Sequence, residues 1–144
     1  MVVLPGARCY LNCNNVMKLN GVIPVIEVEN VERQLEFYQQ AFRFIVINKR
    51  VGPSGLEWVH LRSDNTWLML QKNGLSPHNN PASSSYNHNI TLYYYTDDVL
   101  SNYRYMKAKG IAVGELSATE YGMMEYQFYD PEGNKLAVGQ IKKD

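Results

Sequence analysis

One pattern occurs twice along this chain, and it restricts the fold more than anything in the composition. Asn30–Val31 matches Asp98–Val99, Leu35 matches Tyr103, Tyr38 matches Met106, and Leu68–Met69–Leu70 matches Leu136–Ala137–Val138, all at a single spacing. The economical reading is an α+β fold of two tandem βαβββ modules. Each small sheet then carries a helix on one face only. Its other face needs a partner module, a partner chain or a ligand.

Local signals fill in the modules. Gly21–Glu29 (GVIPVIEVE) reads as a strand, and Pro24 argues for an edge or for an N–H side that faces no partner. Asn30 is a natural N-cap, and Val31, Leu35, Tyr38 and Phe42 fall along one face of the helix that follows. Strands are expected at Phe44–Arg50, Leu56–Arg62 and Thr66–Lys72. After Asn73–Tyr86, rich in Asn, Ser and Pro, the order restarts. A strand over Asn87–Thr96 leads to a helix capped by Asp98 and stopped by Gly110, then to a strand over Ile111–Leu116. The last stretch, EYGMMEYQFYDPEGNKLAVGQ (Glu120–Gln140), reads as a hairpin turning at Asp130–Asn134, where Pro presets φ and Gly and Asn tolerate positive φ. The expected organisation is an N-terminal extension over residues 1–20, a first module over 21–72, a linker over 73–86 and a second module over 87–144.

Composition excludes several partners. Lys plus Arg equals Asp plus Glu at 14 each, which gives no reason to propose nucleic acid or an anionic membrane surface. No run approaches the roughly 18 apolar residues of a membrane span, and the N-terminus lacks a secretory layout. Cys9 and Cys13 have no companion ligands and read as free thiols, so a cytoplasmic location is expected. The 11 Tyr and 2 Trp against 4 Phe are the anomaly: an apolar body with a polar handle suits a cleft or an interface.

At the level of motifs, VIEVENVERQLEFYQQAFRF resembles the first strand and helix of the vicinal-oxygen-chelate superfamily, the glyoxalase, bleomycin-resistance and extradiol-dioxygenase fold. YGMMEYQFYDPEGNKLAVG resembles that family's closing hairpin and is the more specific match. The resemblance implies curved mixed sheets around a cleft, with a metal ligand from the first and last strand of each module in metal-dependent members. Those positions here are Ile23, Met69, Thr91 and Ala137, none a credible ligand for a divalent ion. No metal and no cofactor are therefore expected. The likeness lies with the metal-free bleomycin-resistance-like branch, which implies a homodimer that sequesters an aromatic or cationic small molecule.

Strand alternation nominates the lining. The expected ligand-binding residues are Glu27, Trp58, His60, Trp67, Met69, Tyr93, Tyr95 and Tyr121, with no catalytic residue. For the third and seventh strands the repeat offset pairs Trp58 and His60 with Tyr126 and Phe128, whereas apolar patterning buries Val59 and Leu61. The reading favours Trp58 and His60 over Glu125, Gln127 and Tyr129 as cleft residues. Lone histidines near strands, His60 and His88, are more often structural than ligating, and His78 in the linker carries no signal. Two rival functions stand beside ligand sequestration: a glyoxalase-like lyase or isomerase with Glu27, Glu125 or His60 as base, and an interaction protein whose open face is a subunit contact.

Overall fold

The computed structural model describes residues 17–75 and 90–143. Most of the expected extension with Cys9 and Cys13, most of the linker with His78, and His88 lie outside the described residues. The elements run β1 (Val25–Val28), α1 (Val31–Phe42), β2 (Ile45–Gly52), β3 (Gly55–Ser63), β4 (Thr66–Lys72), β5 (Thr91–Tyr95), α2 (Val99–Ala108), β6 (Ser117–Ala118), β7 (Met123–Tyr129) and β8 (Lys135–Ile141). They form two mixed four-stranded sheets, ordered β1-β4-β3-β2 and β5-β8-β7-β6. In each, the first strand pairs parallel with the last, and the remaining pairs are antiparallel. Two βαβββ modules are thus what the chain forms.

The helices start where their caps put them. Asn30 is extended and its side chain accepts from Arg33 N at 2.9 Å, while Asp98 accepts from Ser101 N at 3.0 Å, each satisfying an end donor that has no partner within the helix. The first helix ends at Arg43 in the left-handed region, φ 56. Val31, Gln34, Tyr38 and Ala41 form its buried face. Leu35 and Phe42, expected on that face, are half-buried beside it.

Both sheets turn their helix-side faces to one shared core. Val59, Leu61, Leu68 and Leu70 from the first and Tyr126, Phe128, Leu136 and Val138 from the second lie in the same apolar cluster with Tyr38 and Met106. The closing turn fastens the modules together. Asp130, buried, accepts from Tyr38 Oη at 2.8 Å while also accepting from Glu132 N, Asn134 N and Asn134 Nδ2. Glu132 accepts from Glu29 N at 2.7 Å and Asn30 N at 3.3 Å. A turn in the second module therefore supplies a carboxylate to the helix start of the first, where negative charge is favoured.

Three expectations are corrected. The first strand is shorter than Gly21–Glu29, although Pro24 O still accepts from Met69 N at 3.0 Å, a role that needs no proline N–H. No strand forms over Ile111–Leu116. Its apolar alternation survives as packing of Ile111, Val113 and Leu116 on the core, but the backbone meets β7 only at Gly114, whose N donates to Gln127 O at 2.8 Å. A Cβ at Gly114 would stand 3.0 Å from that oxygen. Ladder pairing begins only at Ser117, opposite Glu125.

The third correction concerns the faces of β3 and β7. Val59 and Leu61 are buried under α1, and so are Tyr126 and Phe128 under the second module's helix side, so patterning is right in both strands and the repeat offset fails. Register explains why. Met69 pairs with His60, but its counterpart Ala137 pairs with Gln127, so the β3-to-β7 spacing is one residue shorter than the β4-to-β8 spacing. The Asp130–Asn134 turn holds the extra residue, and a shift of one flips every side chain to the other face.

Candidate functional site

Because the two sheets share their helix-side faces, their open faces point away from the common core in opposite senses. The eight residues expected in one cleft divide between them. Trp58, His60, Trp67, Met69 and Glu27 stand on the first open face; Tyr93, Tyr95 and Tyr121 stand on the second. Within one chain the structure brings together the members of each group but not the two groups.

On the first face the cross-strand rows are Asn48–His60–Met69 and Arg50–Trp58–Gln71, with Glu27 beside Gln71 at the edge. His60 lies between the indoles, its ring centroid 5.0 Å from Trp67 and 6.0 Å from Trp58. Its Nε2 is buried and has no partner among the described residues. Arg62, not among the expected residues, sets its guanidinium 5.6 Å from the Trp67 ring centre, a cation–π contact. Asn48, Lys49, Arg50, Trp58 and Gln71 border a cavity of about 510 Å³.

The second face is built around a residue the sequence reading ranked low. Glu125 of β7 is only 5% exposed although it points to the open side. Its carboxylate accepts from Tyr93 Oη at 2.6 Å, from Tyr121 Oη at 2.7 Å and from Gln127 Nε2 at 3.4 Å. Tyr93 starts from β5 and reaches Glu125 across the intervening strand β8. It can do so because Gly139 lies beneath it: a Cβ there would overlap the phenol. Tyr95 packs beside Tyr93 with ring centroids 5.2 Å apart. Tyr121 comes from the loop before β7, next to Gly122 with φ 84, and is 68% exposed.

Burial pushes the Glu125 carboxyl up, but the hydrogen bonds from Tyr93, Tyr121 and Gln127, with the nearby Lys135 charge, outweigh it and hold the group below the usual carboxylate range. Burial and the Glu125 carboxylate push the Tyr93 hydroxyl up, so it stays a neutral donor. The site therefore presents a fixed negative charge rimmed by phenols. A general base is most effective with a pKa near the working pH. Glu125 is displaced away from that range and suits a counter-charge better than a base.

The signals that could have found this site are two. A Glu inside an otherwise apolar and aromatic strand is one. A Gly in a strand interior, which marks close approach by another group, is the other.

The family's metal positions fail on donor chemistry. Ile23 and Ala137 have no donor atom, and Met69 and Thr91 offer a thioether and a hydroxyl. Among the described residues no three His, Cys, Asp or Glu side chains cluster in a way that could hold an ion.

A family model described as the Glyoxalase/Bleomycin resistance protein/Dioxygenase superfamily matches residues 22–138. Among solved structures, TnmS3, an antibiotic binding protein from Streptomyces sp. CB03234, is 22% identical with a TM-score of 0.67, over 88% of this chain and 100% of that one. The bleomycin resistance determinant encoded on the transposon Tn5 is 18% identical with a TM-score of 0.65, over 87% and 100%. Lactoylglutathione lyase from Agrobacterium tumefaciens is 18% identical with a TM-score of 0.66, over 85% and 95%. At such identities the likeness is one of fold. No curated protein matches the chain.

Proposed function

The chain belongs to the glyoxalase/bleomycin resistance protein/dioxygenase superfamily, and from that premise we propose that it is a metal-independent binding protein that sequesters an aromatic or cationic small molecule. The observation that carries this reading is the nearly buried Glu125 carboxylate, hydrogen-bonded by Tyr93 and Tyr121 on a face rich in phenols. Such a face can stack on a planar body and oppose a positive charge, at about 0.5–2 kcal/mol per cation–π contact. Support also comes from the antibiotic-binding and bleomycin-resistance proteins among the fold neighbours, and a role in resistance follows naturally from sequestration. The donor-poor metal positions argue against chemistry that needs a Lewis acid.

The proposal includes a homodimer. Trp58, His60 and Trp67 on one sheet and Tyr93, Tyr95 and Tyr121 on the other can line one cleft only if the first open face of one copy meets the second open face of another. Each dimer then holds two equivalent clefts, as a twofold arrangement requires. His60 Nε2 would supply a polar contact on the wall opposite Glu125.

The test is a titration of the purified protein with a chemically varied panel while following Trp fluorescence, alongside sedimentation to establish the assembly. Quenching by planar cations that is lost in Trp67→Ala, with the fold intact by circular dichroism, is the expected result. A flat response to the whole panel would move the weight to an interaction protein. Stoichiometric divalent metal whose removal abolishes binding would overturn the metal-independent reading.

A further inference from the structure

Glu125 is a buried carboxylate with hydrogen-bond donors but no ionic partner. Among the described residues no Lys, Arg or His nitrogen comes within ion-pair distance of it; the ion pair found there joins Arg50 to Glu57 on the other module. Lys135 acts on it only through its field. A buried charge without an opposite charge in contact is costly, and phenol hydroxyls compensate only partly. The two phenols that serve it differ in how firmly they are held. Tyr93 is fixed over Gly139 and packed against Tyr95, whereas Tyr121 is an exposed loop residue that leans in by its hydroxyl.

We propose that Glu125 is the receptor for an organic cation that carries N–H donors, a protonated amine, amidine or guanidinium, and that the Tyr121 hydroxyl is a placeholder such a ligand displaces. This rests on the small-molecule-binding reading above and narrows its ligand. A carboxylate offers about four lone-pair sites. Tyr93 occupies one on Oε2, and Tyr121 and Gln127 share Oε1, the latter at a long 3.4 Å. Withdrawal of Tyr121 frees Oε1 toward solvent, and the freed hydroxyl is satisfied by water. The exchange replaces a neutral donor to the carboxylate by a charged one, which adds ion-pair attraction to a hydrogen bond that is already charge-assisted. A quaternary ammonium has no N–H and cannot make that exchange. It would keep cation–π contact with the rings of Tyr93 and Tyr95 and a longer-range attraction to the carboxylate, but no hydrogen bond to it.

The experiment uses three probes on one aromatic body: naphthylmethylamine, trimethyl(naphthylmethyl)ammonium and naphthylmethanol, each titrated calorimetrically into the full-length protein. The amine is expected to bind about tenfold or more tighter than the alcohol and the quaternary salt. In Glu125→Gln that preference is expected to collapse to parity. Tyr121→Phe, at an exposed loop position, is expected to tighten the amine several-fold because only the long Gln127 contact then competes for Oε1. Equal binding of all three probes, or a preference that survives Glu125→Gln, would overturn the receptor assignment while leaving the binding reading in place. Weaker amine binding in Tyr121→Phe would overturn the placeholder role. Failure of every probe to bind would sink both readings.

Discussion

Gly139→Ala is the most informative single substitution in this chain, because its sign depends on one neighbour. Gly139 lies in the interior of β8, where its φ is not in the left-handed region. Replacing a strand glycine by alanine should by itself stabilise by about 0.5–1 kcal/mol, through lower entropy of the unfolded chain. Here the new methyl would overlap the Tyr93 hydroxyl and stand 2.7 Å from Cζ and 2.9 Å from Cε1. The phenol has to leave. With it goes the 2.6 Å bond to Glu125, a hydrogen bond to a charged group worth about 1.5–3 kcal/mol. The net expectation is a loss of about 1–2 kcal/mol. In a Tyr93→Ala background the obstacle is gone, so the same Gly139→Ala change should turn stabilising by about 0.5–1 kcal/mol. Urea unfolding of the wild type, both single variants and the double variant closes the cycle. A coupling of about 1.5–3 kcal/mol is expected, well above the error of additivity for independent sites. Equal effects of Gly139→Ala in the two backgrounds would refute the reasoning that this glycine exists to let Tyr93 reach Glu125.

Three further outcomes follow from the same geometry. Tyr38→Phe removes the one side-chain hydrogen bond from α1 to Asp130 and should cost about 1.5–3 kcal/mol by urea unfolding, with Asp130 still held by its own turn. Gln34 is fully buried and both its amide atoms lack partners among the described residues, so Gln34→Met should stabilise by about 1–2 kcal/mol; a loss of stability would refute this. The pH dependence has two limbs. The lowered Glu125 carboxyl contributes stability that is present above the unfolded-state pKa of 4.5 and is lost as pH falls through the lower folded value; Glu125→Gln should remove this contribution and leave the parallel ones of the lowered Glu32 and Asp98 carboxyls. The hydroxyls of Tyr38, Tyr93, Tyr94 and Tyr126 are raised mainly by burial, so their contribution is present below the ordinary tyrosine pKa of 10.0 and is lost as pH rises beyond it; ultraviolet titration should show them ionising only with unfolding.

What could be read from residues alone was what period and local chemistry encode. The bounds of β4 and the caps Asn30 and Asp98 were legible because alternation and N-cap chemistry are local. The faces of β3 and β7 were not settled, because a repeat offset assumes equal loop lengths and one added residue in the Asp130–Asn134 turn inverts it. Glu125 was ranked low for the same reason. Its partners come from three places, β5, a loop and its own strand, and no sequence spacing announces that Tyr93 crosses β8. The role of Glu132 was also hidden. The turn was legible as a turn, but its contact with Glu29 N and Asn30 N joins residues a hundred positions apart.

The partition of aromatic residues bears on what covers the open faces. All four phenylalanines, Phe37, Phe42, Phe44 and Phe128, pack in the shared core, where Phe42 also lies tilted against Tyr94 with ring centroids 4.4 Å apart. Both tryptophans and Tyr93, Tyr95, Tyr121 and Tyr129 stand on the open faces instead. A face sealed permanently by another subunit has no need of polar handles, and a core-like apolar surface would serve it better. Rings with a hydroxyl or an indole N–H tolerate both water and cover. In the proposed dimer the open faces suit cover that comes and goes, with a second copy framing a cleft and leaving its floor wet. A dimer whose contact buried Tyr93, Tyr95 and Tyr121 completely, with no solvent reaching Glu125, would contradict it; hydrogen exchange along β5 and β7 in the assembled protein distinguishes the two.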